Sequence, residues 1–302
     1  MIRLDIPSAS KPPFKIAVCI ATKGRPDVLL ETLRELRQQT RAPDRTLVCY
    51  STPEDVEGAE TIPTVELLRG PTGSTFQRNV LLDAASECDA VLFLDDDFLP
   101  APRYIEATIS AFGVADGIVI TTGRVIADGI KGLGIDFKTA RDLIAQDNWV
   151  GQWPGITPAW NGYGCNMAVR LSAAREHGIR FDERLPLYAW YEDIDFTRRL
   201  GLHGQVVRVS GASGVHLGVK SGRTSGRRLG YSQVVNPVYL SLKGSYPWDH
   251  ATRSIGRHLL ANLLRSFWPE PHVDRRGRLV GNGLALLDLL RGRVRPERIL
   301  EL

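Results

Sequence analysis

"AVLFLDDDF", residues 90–98, runs five apolar residues straight into three consecutive aspartates. An unbroken apolar run of that length reads as a strand buried on both faces. Asp95, Asp96 and Asp97 repel one another, and burying any of them unpaired would cost several kcal/mol or force protonation. An arginine, a metal ion or water must therefore meet the end of this strand.

Working outward, the same pattern recurs. "KIAVCIAT" (15–22), "RTLVCYS" (45–51) and "GIVITTG" (117–123) are further buried-strand runs. Between them, "RPDVLLETLRELRQQ" (25–39) carries Leu29, Leu30, Leu33 and Leu36 at helical spacing, with Pro26 suited to the first turn. "STFQRNVLLDAASE" (74–87) predicts a second helix capped by Ser74 or Thr75, and "PRYIEATISAF" (102–112) a third. This alternation predicts a doubly covered, mostly parallel sheet, in which ligands gather outside the carboxyl ends of the strands. Thr22, Ser51 and the aspartates all stand at such ends, so they are expected to converge on one rim.

The chain has 302 residues and a net charge of +4, enough for one large domain or two small ones and too weakly basic to imply nucleic acid. No apolar run approaches the roughly 18 residues of a membrane span, and the opening "MIRLDIPSASKPPFK" lacks the apolar core of a signal peptide. Cys19, Cys49, Cys88 and Cys165 are scattered among apolar neighbours and read as reduced thiols. A cytoplasmic protein is expected, either free or peripheral on the inner face of the cytoplasmic membrane.

The strings "VCIATKGRP", "GSTFQRNVLLDAA", "LFLDDDF", "GCNMAVR", "WYEDIDFTRRL" and "HLGVKSGR" occur in that order between residues 15 and 245. Together they resemble the family-2 glycosyltransferases of the GT-A fold, although each motif alone is weak. The resemblance implies a nucleotide-sugar-dependent transferase that inverts the anomeric centre with the aid of Mn²⁺ or Mg²⁺. The charge argument agrees: three carboxylates would repel a donor diphosphate unless a hard cation stood between them. By resemblance, Asp97 ligates that cation and His216 completes its site, while Asp95 and Asp96 face the ribose and nearby nucleotide groups. Ala21, Thr22 and Arg25 fall where the base and phosphates would lie, and Arg78 beside Asn79 sits near the nucleotide and is placed to lend the aspartates countercharge. Where the family commonly has an acid that reads the base, this chain has "CYSTPED", so Tyr50 or Ser51 takes that place.

The second acidic constellation is "LYAWYEDIDFTRRL" (187–200). Carboxylates at a helix N-terminus are stabilised by its dipole, which would account for Glu192 and Asp193 without catalysis. By resemblance, Asp193 is instead the general base that takes the acceptor's hydroxyl proton, and Glu192 binds the acceptor or orients the base. Trp190 and Tyr191 offer flat faces on which an acceptor sugar would stack. Lys220, Arg223, Arg227 and Arg228 follow as a basic segment that would either fold over the diphosphate or simply be solvated.

Beyond residue 250 the composition changes. Residues 251–302 hold ten arginines, no lysine and five carboxylates. "SIGRHLLANLLRSFW" puts Ile255, Leu259, Leu260, Leu263, Leu264 and Phe267 on one helical face, and "NGLALLDLLRGRVRPERIL" repeats the theme with Leu284, Leu287 and Leu290. Such helices lie on an anionic membrane surface, or pack on the catalytic region or on a second subunit as a homodimer.

The expected organisation is thus a GT-A-like α/β catalytic region at 1–249 with a basic amphipathic helical extension at 250–302. Its nucleotide-binding half spans about 15–125 and its acceptor half about 126–249. Without membrane spans or a QxxRW motif, it would move one sugar from a nucleotide-sugar donor to a saccharide or lipid-linked acceptor, as in cell-surface polysaccharide or glycolipid synthesis. Two alternatives are a sugar-1-phosphate nucleotidyltransferase, whose Gly-rich phosphate loop is usually longer than "ATKGRP", and a non-catalytic binder of nucleotide sugars.

Overall fold

The computed structural model describes residues 13–221 and 224–302. The opening stretch read above for a signal peptide lies mostly outside them, as does Arg223. Nine strands form one sheet in the order β3-β2-β1-β4-β8-β6-β9-β5, with β7 paired to β9. The strands are β1 (Ile16–Ala21), β2 (Arg45–Tyr50), β3 (Val65–Arg69), β4 (Ala90–Asp95), β5 (Phe98–Pro100), β6 (Ile118–Asp128), β7 (Ile156–Pro158), β8 (Asn166–Arg170) and β9 (Gln205–His216). β1, β2, β3, β4, β6 and β9 run one way, while β5, β7 and β8 oppose them. The sheet is therefore mostly parallel, as expected, with β8 inserted antiparallel between β4 and β6.

Alternation along β1 supplies both faces of the sheet. Ile16, Val18 and Ile20 bury against Leu29, Leu33 and Leu36 of α1 (Pro26–Leu36). Ala17 and Cys19 bury against Leu81 and Leu82 of α2 (Ser74–Ala84). Pro26 does open α1. The expected Ser74 or Thr75 cap is not used, because Gly73 is the N-cap residue at φ 134°. A Cβ there would stand 3.1 Å from the Leu187 backbone nitrogen, and Thr75 instead donates its hydroxyl to the Leu185 carbonyl at 2.9 Å. The start of α2 is thereby tied to the segment before the second acidic motif. α3 (Tyr104–Val114) completes the first core, and α4 (Phe137–Ala145) and α5 (Leu171–Glu176) cover the sheet farther along the chain. All four cysteines are buried and free.

α6 (Glu192–Leu200) begins at the second acidic motif. Asp195, fully buried, accepts from Arg199, from Lys243 and from the Ser245 hydroxyl, fastening α6 to the end of α7 (Gly226–Lys243). α7, α8 (Trp248–Arg265) and α9 (Arg275–Leu290) pack into a helical layer centred on Tyr231, Val234, Val235, Ala285 and Ile299. That layer starts at Gly226, ahead of the boundary at residue 250 drawn from composition. α7 and α9 cross closely, since a Cβ on Gly230 would lie 2.1 Å from the Arg278 carbonyl oxygen and one on Gly281 would lie 2.0 Å from that of Arg227. Packing on its own chain does not account for the apolar face of α8. Leu260, Leu263, Leu264 and Phe267 remain 58%, 46%, 54% and 67% exposed, and only Ile255 and Leu259 join the helical core. Among the described residues, no helix is long and apolar enough to cross a membrane.

Candidate active site

The carboxyl ends of β1, β4, β6 and β9 meet at a cleft of about 670 Å³. Its walls include Ala21, Thr22, Arg25, Arg78, Asp95, His216 and the segment Trp190–Asp193. The three aspartates, adjacent in sequence, are sent to three different surroundings. Asp96 is fully buried, and its carboxylate accepts from the Thr22 hydroxyl at 2.7 Å and from the Arg25 guanidinium. Burial pushes its pKa up to about 7 against the pull of Arg25. Asp96 thus faces the chain's own side chains and is not among the residues that line the cleft.

Asp97 is also buried, but it accepts the Val219 backbone N–H at 2.8 Å and lies 3.3 Å from Arg25 and 3.5 Å from His216 Nε2. Burial alone would raise its pKa. The His216 hydrogen bond and charge, together with Arg25, outweigh that and hold it down at about 2. Asp95 is 37% exposed to the cleft and approaches His216 Nε2 at 3.9 Å. One ligand atom from each of Asp95, Asp97 and His216 lies within 4.8 Å of the others. Two hard carboxylate oxygens and one imidazole nitrogen fit a divalent cation such as Mn²⁺ or Mg²⁺.

The imidazole is held from behind by a residue that the sequence reading missed. His216 Nδ1 is 3.0 Å from Asp128 Oδ1, and a carboxylate so placed accepts the Nδ1–H hydrogen bond and turns Nε2 toward Asp95 and Asp97. Asp128 ends β6 as Asp95 ends β4. The same strand-end rule would have found it had the apolar run at 117–123 been followed to its full length.

Arg78 joins the two acidic motifs. Its buried guanidinium lies against the rings of Phe93 and Phe181, 2.6 Å from Glu192 Oε1, 3.2 Å from Asp95 Oδ1 and 2.8 Å from the Gly164 carbonyl. Among the three aspartates it pairs with Asp95. Burial pushes Glu192 up to about 8 while Arg78 pulls the other way. Asp193 has no cationic partner within ion-pair distance among the described residues. Its two oxygens accept the backbone N–H groups of Gly164 at 2.9 Å and Ile194 at 2.8 Å, and burial raises its pKa.

The lead-in to this motif is backbone-strained, with Leu187, Ala189 and Tyr191 at φ 59°, 50° and 76°. Non-glycine residues rarely take such angles outside functional segments. Trp190 lines the cleft, and Tyr191 lines it as well while bonding Ser254 at 2.5 Å.

Ser51 is buried just past the end of β2, outside the cleft wall. The nearby acid is Asp55, whose oxygens accept the backbone N–H groups of Gly24, Ser51 and Thr52. Of the basic segment, Lys220 is anchored on the Gly129 and Ile130 carbonyls. Arg227 and Arg228 belong to the first turn of α7, with Arg228 in the cleft wall.

Several known proteins are similar. Residues 17–145 match the family model described as "Glycosyl transferase family 2". No curated protein matches the sequence. The fold is shared with TarS of S. aureus (residues 1–349; 14% identity, 93% of this chain and 92% of that one, TM-score 0.52). It is shared with the mannosyltransferase PcManGT of Pyrobaculum calidifontis, solved with GDP-Man and Mn²⁺ (15% identity, 95% and 91%, TM-score 0.55). GalNAc-T7, solved with UDP, GalNAc and Mn²⁺, is similar at 14% identity and TM-score 0.55, over 95% of this chain and 57% of that one. The chain has the GT-A fold, and its residues 17–145 match glycosyl transferase family 2, which supports a glycosyltransferase.

Proposed function

We propose that the protein moves one sugar from a nucleotide-sugar donor to an acceptor hydroxyl with inversion at the anomeric carbon. The observation that carries this reading is that Asp193 lines the same cleft as Asp95 and His216, which gather with the buried Asp97. Asp95, Asp97 and His216 would hold Mn²⁺ or Mg²⁺, which when bound supplies a Lewis acid for charge developing on the departing diphosphate. Lys23 and Arg228 in the cleft wall add positive charge toward the same group.

Asp193 takes the proton of the acceptor hydroxyl as its oxygen bonds the anomeric carbon. The bond to the diphosphate breaks on the opposite face and its electron pair leaves with the nucleotide. Two backbone N–H groups fix the carboxylate, and its raised pKa makes it a stronger base than an exposed aspartate. Glu192, locked on Arg78, spaces the base from the aspartates. Trp190 and Tyr191 present their faces to the acceptor sugar. The exposed row on α8, flanked by Arg257 and Arg265, supports attachment to an anionic bilayer surface at the cytoplasmic face. A second copy of the chain is the other partner that would cover it, and flotation on anionic vesicles separates the two.

The test is thermal stabilisation by a nucleoside diphosphate with and without Mn²⁺. In Asp97→Asn the Mn²⁺-dependent part should vanish. Because the comparison is made within one variant, any general loss of stability cancels. An undiminished Mn²⁺-dependent shift in that variant would remove Asp97 from the metal site.

A further inference from the structure

The active-site cleft has a neighbour. A second cavity, of about 380 Å³, opens on the other side of Tyr191. One face of α8 lines it with residues spaced a turn apart: His250, Arg253, Ser254, Arg257 and His258. No carboxylate is among its lining residues. Asp249, just outside, pairs with Arg253. Arg257 makes no hydrogen bond or ion pair with any described residue, and it is exposed toward this hollow. His258 packs edge-on to Trp190 at 5.4 Å, and burial with Arg278 and Arg275 nearby holds its pKa at about 4. The uncompensated positive charge of the cavity is therefore Arg257's. Tyr191, bonded to Ser254, is the shared wall, and it immediately precedes Glu192 and Asp193.

A guanidinium without a partner, backed by a second arginine, ring nitrogens and a hydroxyl, is a donor set suited to a tetrahedral anion. The volume falls at the lower end of ligand pockets, enough for a phosphoryl group and part of what bears it. We propose that this cavity binds a phosphoryl group carried by the acceptor. The acceptor is then a phosphate-bearing saccharide, polyol or lipid, whose reacting hydroxyl reaches past Tyr191 to Asp193. This inference rests on the transferase reading above and names the acceptor class for that same site.

The test titrates inorganic phosphate into the full-length protein without metal, comparing wild type with Arg257→Gln. Binding should weaken about tenfold in the variant, the loss expected when one charged hydrogen-bond partner is removed. Mn²⁺-dependent nucleoside diphosphate binding, measured in parallel, should be the same in both proteins. Phosphate binding that ignores Arg257, or that is absent from wild type, overturns the proposal. Glucuronate binding more tightly than phosphate also overturns it, since the site would then select a carboxylate. Loss of the nucleotide signal from wild type would instead indict the transferase reading itself. Two further arms identify the source of the phosphate. Tighter flotation on phosphatidylcholine vesicles containing polyprenyl phosphate than on ones made equally anionic with phosphatidylglycerol, abolished by Arg257→Gln, assigns a lipid. Arg257-dependent binding of glycerol phosphate without enhanced flotation assigns a soluble polyol or sugar phosphate.

Discussion

The two acidic motifs on either side of Arg78 solve the same problem in opposite ways. At Asp95–Asp97 the crowded charge is answered by cations: Arg25 takes Asp96 and shares Asp97, and His216 approaches Asp97 and Asp95. At Glu192–Asp193 one carboxylate takes the arginine, and the other is held only by peptide dipoles. The first arrangement keeps Asp97 ionised, and its pKa is low. The second leaves Asp193 with a raised proton affinity. Similar side chains thus acquire a depressed proton affinity on one wall and a raised one on the other, and the nature of their countercharge decides which.

The largest expected effect tests the dipole-held side. Asp193→Asn keeps the shape and loses the base, so transfer should fall by about two to four orders of magnitude with Mn²⁺-dependent nucleotide binding unchanged. Near-normal turnover would return Asp193 to the part of a helix-start carboxylate. Next is the strut itself. Arg78→Met leaves Glu192 and the Gly164 carbonyl buried without their donor, and urea unfolding should show a loss of about 1–3 kcal/mol. A loss below about 1 kcal/mol, the scale of an exposed pair, would mean that the two motifs are not coupled through this side chain. The smallest effect is on the cation-held side. Asp128→Asn frees His216 from its fixed orientation, and Mn²⁺ affinity by calorimetry should fall about 10- to 100-fold. Unchanged affinity would exclude His216 as a ligand oriented from behind.

What could be read before the fold was known follows from which signals are local. β1, β2 and β4 are unbroken apolar runs, and α1 carries its leucines at helical spacing with Pro26 at its start. Both acidic motifs were legible because a run of charge at a strand or helix end is conspicuous. β3 ("VELLR") and β8 ("NMAVR") are five residues each, too short for periodicity to separate strand from helix. α7 was hidden by Gly226, Gly230 and Pro237, which read as breakers. The two glycines are explained only by α9 and the residue before it: a Cβ on Gly230 would meet Arg278 and one on Gly226 would meet Asp274. The division of labour among Asp95, Asp96 and Asp97 was likewise out of reach, since it depends on Arg25, Val219 and His216 arriving from distant parts of the chain.

The close crossing of α7 and α9 bears on how this protein can be taken apart. Composition suggests a catalytic body with a detachable basic tail, and a shortened chain ending near residue 249 would look like a natural minimal enzyme. The crossing forbids that economy. Tyr231, Val234 and Val235 on α7 would lose the cover of Ala285 and Ile299, and the Tyr231 phenol would lose Asp288, its partner at 2.8 Å. α7 in turn grips α6 through Lys243 and Asp195, only two residues beyond Asp193. Cutting away the tail therefore loosens the helix that carries Asp193, and the terminal fifty residues are a brace for that wall of the cleft as much as an appendage.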